Sequence, residues 1–289
     1  MALAATEVNP GGSAKGDALV EPQWLSEHLH DAELQVVEVD VSPAAYDEGH
    51  IDGAVLWNVY GDLRDSEYRP VDGLPAIQDL FERSGIGPGS TVVFYGYASA
   101  MGFWLMKVYG HLDVKILNCG RTTWVESGLA WTKEAATPIR THYPVTAEDG
   151  GIRADSRSVE AAIGDRTRTI LDVRTESEFR GERFWPSGGS EPGGRAGHVP
   201  TAVNISIEAL TDEHGAYRPS SKLREIFSSI DLTGDRDVIV YCTIGGRAST
   251  AWFVLTYLLG AGHVRVYDGS WAEWGRMAGM PVETELKAE

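Results

Sequence analysis

Cysteine is almost missing from this chain. Only Cys119 and Cys242 occur among 289 residues, far apart, which argues against a disulfide framework and for a reducing, cytoplasmic home. Positive charge is scarce as well: 25 Lys and Arg stand against 42 Asp and Glu, a net charge of −17. That balance argues against nucleic acid or an anionic membrane as a partner. It also means that a small anionic substrate needs its cationic groups gathered locally. No apolar run approaches the ~20 residues of a membrane span. The start, M-A-L-A-A-T-E-V-N-P-G-G-S-A-K-G, has no basic segment leading into an apolar core. It is read as a flexible lead-in over residues 1–18, not a secretory signal.

What is present suffices for packed cores: 43% hydrophobic residues and 9 Trp, in a length that suggests two domains. The sequence also repeats itself weakly. V-V-E-V-D (36–40), G-H-I-D-G-A (49–54), T-V-V-F-Y-G (91–96) and V-K-I-L-N-C-G-R-T-T-W (114–124) recur in the same order. Their echoes are I-L-D-V-R (170–174), G-H-V-P-T-A (197–202), D-V-I-V-Y-C (237–242) and V-R-V-Y-D-G-S-W (264–271). Each half offers at least four short apolar strands separated by helical or loop stretches. The expected class is α/β, two copies of an open parallel sheet flanked by helices. The first domain is placed at 19–132, a linker with Pro138, Pro144 and Gly150-Gly151 at 133–151, and the second domain at 152–289. The Gly/Pro-rich segment Trp185–Gly197 reads as loop, a tolerated insertion more than a lid.

The stretch Val238–Gly260 organises the rest. Val238–Tyr241 has the composition of a buried strand. Ala248, Ala251, Trp252, Leu255, Leu258 and Leu259 then recur at helical spacing until Gly260. Cys242 stands between strand and helix, where free helix N–H groups and the dipole favour negative charge. A thiol held there is expected to fall below its usual ~8.5. Gly245 and Gly246 allow positive φ and an inward-turned nest of N–H groups. Arg247 lies in the first helical turn, an unfavourable place for a cation by roughly 0.3–1 kcal/mol, so it is expected to face a substrate anion or a carboxylate. In the repeat, Gly96 takes the position of Cys242, and the loop from Gly96 to Met101 has neither thiol nor cation. One copy looks armed and the other empty.

These motifs, L-D-V-R (171–174), G-H-V-P (197–200), C-T-I-G-G-R (242–247) and V-R-V-Y-D-G-S-W-A-E-W (264–274), resemble those of the tandem rhodanese-type sulfurtransferases over nearly the whole chain. The resemblance implies a non-catalytic first domain and a catalytic second one. It implies that Cys242 takes a sulfane sulfur from a small anionic donor as a persulfide and yields it to a thiophilic acceptor, cyanide or a thiol. No metal or organic cofactor is implied, and a monomer is expected. Thr243, Ile244, Gly245, Gly246 and Arg247 would hold the persulfide and donor. Thr243 and Ile244 stand where thiosulfate-using relatives often have Arg and Lys, and Ile244 where mercaptopyruvate-using ones have serine. Glu178 stands where many relatives use an arginine for the donor, so Arg183 or Arg195 is expected to substitute. Thiosulfate is the first choice of donor. 3-Mercaptopyruvate, or a relay to a protein partner, is the alternative.

A phosphatase or arsenate reductase needs five residues between Cys and Arg, whereas four separate Cys242 from Arg247. Asp172 and Arg174 read as a strand-end anchor. His50 and His198 follow matching turns and read as structural; the resemblance implies, as the lesser alternative, a place for His50 in the inter-domain site, where some relatives have the equivalent histidine. Trp271 and Trp274 either wall the pocket or fill the core, and Cys119 reads as a spectator.

Overall fold

Residues 16–146, 148–232 and 236–284 are described by a computed structural model of the chain; most of the expected lead-in, residues 1–15, lies outside them. The first half supplies β1 (Leu19–Val20), β2 (Leu34–Asp40), β3 (His50–Ile51), β4 (Val55–Asn58), β5 (Thr91–Tyr95), β6 (Val114–Leu117) and β7 (Trp131–Thr132). The second supplies β8 (Arg153–Ala154), β9 (Arg168–Asp172), β10 (Val203–Asn204), β11 (Asp237–Tyr241) and β12 (Val264–Tyr267). Two five-stranded sheets result, ordered β1-β6-β5-β2-β4 and β8-β12-β11-β9-β10. Every ladder in them is parallel; β3 and β7 pair antiparallel to one side. Each sheet has the same order when its strands are taken by position in their half, so the weak sequence repeat is a repeat of topology.

Register carries the equivalence to single residues. Glu38 pairs with Tyr95, and Asp172 pairs with Tyr241. Gly96 therefore leaves β5 as Cys242 leaves β11. Both central strands are buried along nearly their whole length, as expected of parallel strands covered on two faces.

Helices flank the sheets: α1 to α5 at Pro22–His28, Pro43–Glu48, Leu74–Arg83, Ser99–Val108 and Arg121–Glu126, then α6 to α10 at Ser156–Ala162, Glu176–Phe179, Ser220–Ile226, Gly246–Phe253 and Ser270–Trp274. Helix α4, S-A-M-G-F-W-L-M-K-V, is apolar almost all round. That pattern requires burial on two sides, and α4 has it: one side lies on its own sheet and the other on α9. Gly102 permits the first contact, since a Cβ there would come 2.4 Å from the Phe94 ring. Across the second, Phe103 meets Phe253 and Tyr257 with ring centroids 5.0 Å away in each case. One buried apolar cluster runs through both halves.

The helix expected to reach residue 259 is α-helical only to Phe253. A wider π-type turn follows over Val254–Leu258, and Leu259 N–H donates five residues back to Val254 O at 2.9 Å. Single π turns of this kind sit where side chains override the regular ladder, and Tyr257 here stacks on Phe253 at 5.4 Å while meeting Phe103 edge-on. Among the described residues no helix is long and apolar enough to cross a membrane.

Candidate active site

Cys242 lies at the carboxyl end of β11, 1% exposed. Gly245 adopts the left-handed conformation (φ 91°, ψ −25°) and delivers the chain into α9 at Gly246. That turn points the Gly245 N–H back at the thiol, and Cys242 Sγ accepts from it at 3.1 Å. The start of α10 laces the loop from behind. Cys242 N–H donates to Ser270 Oγ at 3.1 Å, and the Ser270 hydroxyl donates to Tyr267 O at 2.7 Å. Trp271 N–H donates to Cys242 O at 3.0 Å, and Ala272 N–H to Thr243 O at 2.9 Å. The sulfur thus has one backbone donor, the Gly245 N–H, on a loop that α10 holds in place from behind.

The loop's cation has its anion, and the anion belongs to the protein. Arg247 donates from both Nη atoms to Glu178, at 2.8 and 2.7 Å. Glu178 is fully buried and also accepts from Thr243 Oγ1 at 2.8 Å. A capping box at the start of α7, reciprocal between Thr175 and Glu178, fixes the carboxylate from its other side. Burial works to raise the Glu178 pKa, but the Arg247 hydrogen bonds and charge, with those of Thr175 and Thr243, outweigh it and leave it at about 2. The bidentate geometry is the strong form of such a pair. Arg247 therefore brings little net positive charge into the site.

A cavity of about 230 Å3 opens over Cys242. Its far wall comes from the first half: Val59 and Tyr60 beyond β4, and Tyr97, Ala98 and Met101 from the loop that replaces a cysteine loop there. Met101 Sδ and the Ala98 methyl would both lie within 4 Å of a Cβ placed on Gly246. The equivalent loops of the two halves thus face each other. Trp185, Pro186 and Ser187 close a third side, so the segment expected to be a tolerated insertion contributes to the site. It is fixed there by Trp185 packing on Tyr68 at 4.8 Å and donating to Glu191 Oε2 at 2.9 Å.

Other expected site residues are placed elsewhere. The Arg195 guanidinium donates to carbonyls: Gly275, Met280, Trp274 and Met277. Its guanidinium satisfies orphan carbonyls at the end of α10, which corrects the expectation that it faces the donor. Arg183 donates to Pro186 O at 3.0 Å and likewise does not line the cavity. Trp271 is buried with its indole N–H on Arg195 O at 2.9 Å, so it supports the loop from beneath. Asp172 and Arg174 form a fully buried pair at 2.6 Å. Arg174 also donates to Gly197 O and lies over the Trp271 ring at 4.6 Å, a strand-end anchor.

His50 is buried, stacked on Tyr46 at 3.6 Å, with Nδ1 2.8 Å from Tyr46 O and Nε2 3.0 Å from Glu134 O. It is not among the residues around the cavity. His198 repeats the arrangement, stacked on Phe179 at 3.6 Å with Nδ1 2.7 Å from Phe179 O. The Cys119 thiol is pushed up to about 12 by burial and then by the Glu21 charge, which leaves it unreactive near neutral pH.

Sequence reasoning missed Tyr60, Tyr97, Met101, Ser270 and Arg64. Arg64 is 3% exposed and reaches across from the first half, donating from Nε to Ile244 O at 2.9 Å and from Nη2 to Asp268 O at 3.2 Å. In sequence it lies in a polar loop, G-D-L-R-D-S, where an arginine reads as a solvated charge. For Tyr97 and Met101 a signal existed: they occupy the loop equivalent to the cysteine loop, at the same end of an equivalent strand.

The cavity sits where two parallel-sheet domains meet over a cysteine loop, and comparison with known proteins gives the family of both domains. The Rhodanese-like domain profile matches residues 21–127 and again 155–277; the chain belongs to the rhodanese family, with two tandem rhodanese-like domains. It is 38% identical over 279 residues to "Sulfur carrier protein TtuD" of Thermus thermophilus, covering 94% of this chain and 98% of that protein. It is 39% identical over 276 residues to a "Putative thiosulfate sulfurtransferase" of Haloferax volcanii, covering 92% and 96%. Among solved structures, wild-type EanB superimposes with a TM-score of 0.81 at 22% identity, over 94% of this chain and 70% of that one. At that identity the likeness concerns the fold alone.

Proposed function

We propose that this protein is a sulfurtransferase that carries sulfane sulfur on Cys242, with thiosulfate as donor and cyanide or a thiol as acceptor. The observation that carries the reading is the Cys242 sulfur on the Gly245 N–H at the floor of a walled cavity. In the first half-reaction the Cys242 thiolate attacks the outer sulfur of thiosulfate. The sulfur–sulfur bond of the donor breaks, sulfite leaves with the electron pair, and Cys242 becomes a persulfide anion. In the second, cyanide or a thiolate attacks the terminal sulfur, and thiocyanate or a new persulfide departs as the Cys242 thiolate returns. The mechanism is covalent and ping-pong. Because Glu178 cancels Arg247, the charge arriving on sulfur is met by loop N–H groups and the amino end of α9.

A second reading, a persulfide carrier that hands its sulfur to a partner protein, is favoured by two observations. The Thermus relative is named a sulfur carrier and matches over nearly its whole length. The rim residues Tyr97 and Tyr60 are 65% and 47% exposed, as a surface that receives another molecule would be.

The test is intact-protein mass after incubation with thiosulfate or, separately, 3-mercaptopyruvate, for wild type and Cys242→Ser. The expected result is one added sulfur atom in the wild type only, lost on adding cyanide with release of one thiocyanate. Slow multiple turnover with cyanide after rapid loading would favour the carrier. Failure of both donors to load Cys242 would remove the transferase reading.

A further inference from the structure

We infer that Arg64 of the first domain is a positioning residue for the Cys242 nucleophile, acting through a single peptide unit. In a trans peptide the C=O and N–H point in opposite directions. The Ile244–Gly245 peptide has its carbonyl on Arg64 Nε at 2.9 Å and its N–H on Cys242 Sγ at 3.1 Å. Holding one end aims the other. Polarising the carbonyl also strengthens the donor that faces sulfur, since linked hydrogen bonds reinforce one another in a low-dielectric interior.

Three further observations make this a built contact. Arg64 Nη2 reaches Asp268 O at 3.2 Å, at the end of β12, while Nη1 returns to Leu63 O at 3.0 Å, so the fork is fixed on three carbonyls. Gly245 leaves it room: a Cβ there would lie 2.5 Å from Arg64 Nη2. Finally, the guanidinium is buried while its neighbouring carboxylates are engaged with other arginines, Asp65 with Arg69 at 2.8 Å and Asp268 with Arg153 at 3.0 Å. No ion pair of Arg64 itself occurs among the described residues. A buried cation without a carboxylate of its own is costly, and the thiolate or persulfide of Cys242 is the charge that arrives beside this loop. The cationic role that the sequence suggests for Arg247 thus falls to Arg64, on the other domain.

The inference rests on Cys242 being the nucleophile, but its test needs no sulfur donor. Full-length protein in a Cys119→Ser background is alkylated with iodoacetamide across pH, and modification of Cys242 is followed by mass. Arg64→Met is expected to move the midpoint of the pH–rate profile upward by about one unit, a roughly tenfold loss of thiolate at a fixed lower pH, with near-ultraviolet circular dichroism unchanged. Arg64→Lys keeps the charge without the planar fork and should fall between the two. A folded Arg64→Met protein with the wild-type midpoint would overturn the assignment and leave Arg64 an inter-domain strut. If Arg64→Met does not fold, Arg64→Lys and Arg64→Gln are read the same way. Failure of all three to fold would also make Arg64 a strut. Should neither donor load Cys242, a shifted profile would still establish the Arg64 contact, so the two proposals fail separately.

Discussion

The loops at 96–101 and 242–247 leave equivalent strands at the same end of equivalent sheets, yet only one presents a thiol. In the second domain the strand delivers Cys242 into a laced turn whose Gly245 N–H meets the sulfur. In the first it delivers Gly96 at φ 94°, with a Cβ at that place 2.9 Å from Val39 O. The empty loop is not idle: Tyr97, Ala98 and Met101 form the wall opposite Cys242. What both halves retain is equally instructive. Tyr95 and Tyr241 each accept a backbone N–H on the hydroxyl, from Ile51 and Val199 at 3.1 Å, and His50 and His198 each stack on the ring of a preceding helix. Features shared by both halves hold the fold, and features found only beside Cys242 set the two loops apart. By that criterion Glu178, Thr243 and Arg247 go with the cysteine loop, and the histidines do not.

The largest expected departure from this comparison comes from Glu178→Gln. It leaves Arg247 half-paired in a buried site, where breaking such a pair costs about 3–5 kcal/mol; urea denaturation should show it, and unchanged stability would contradict the pairing. The pH dependence sharpens the point. The folded Glu178 carboxyl titrates at about 2 against an ordinary 4.5. A depressed carboxylate stabilises the fold fully above its unfolded value and ceases to do so as pH falls through the folded one. Wild-type stability should therefore drop between pH 4.5 and 2 more steeply than that of Glu178→Gln.

A smaller effect is expected from moving the thiol. Gly96→Cys in a Cys242→Ser background should cost about 1–3 kcal/mol, because a non-glycine residue is strained at that φ and its Cβ meets backbone. It should not load sulfur from thiosulfate; an added sulfur atom at position 96 would show that the first domain lacks only a thiol. The smallest effect belongs to Cys119→Ser. Stability should fall by no more than about 1 kcal/mol and sulfur loading should be unchanged, whereas reduced loading would give Cys119 a resolving role.

Much of this comparison was legible in the chain itself. Short apolar runs in a repeated order gave both sheets, because buried parallel strands leave that pattern whatever surrounds them. Cys242 and its glycines were legible because a thiol between strand and helix needs them locally. The partner of Arg247 was legible only as a type: a carboxylate was among the anions expected, yet Glu178 lies 69 residues away and reaches it through the fold. Arg64, Tyr60 and Trp185 were illegible because their roles exist only once two domains meet. Arg195 was misread for a related reason. The resemblance suggested a donor anion for it, but carbonyls at and beyond the end of α10 take the same donors.

The aromatic seam between α4 and α9, where Phe103 meets Phe253 and Tyr257, has a consequence for either half taken alone. The half whose equivalent loop carries no cysteine supplies part of the apolar interior on which the other half folds. Deleting it would bare the Phe253 and Tyr257 rings and remove the wall opposite Cys242. The two copies are thus mutually dependent: the interior of the half that presents Cys242 is completed by the half that does not.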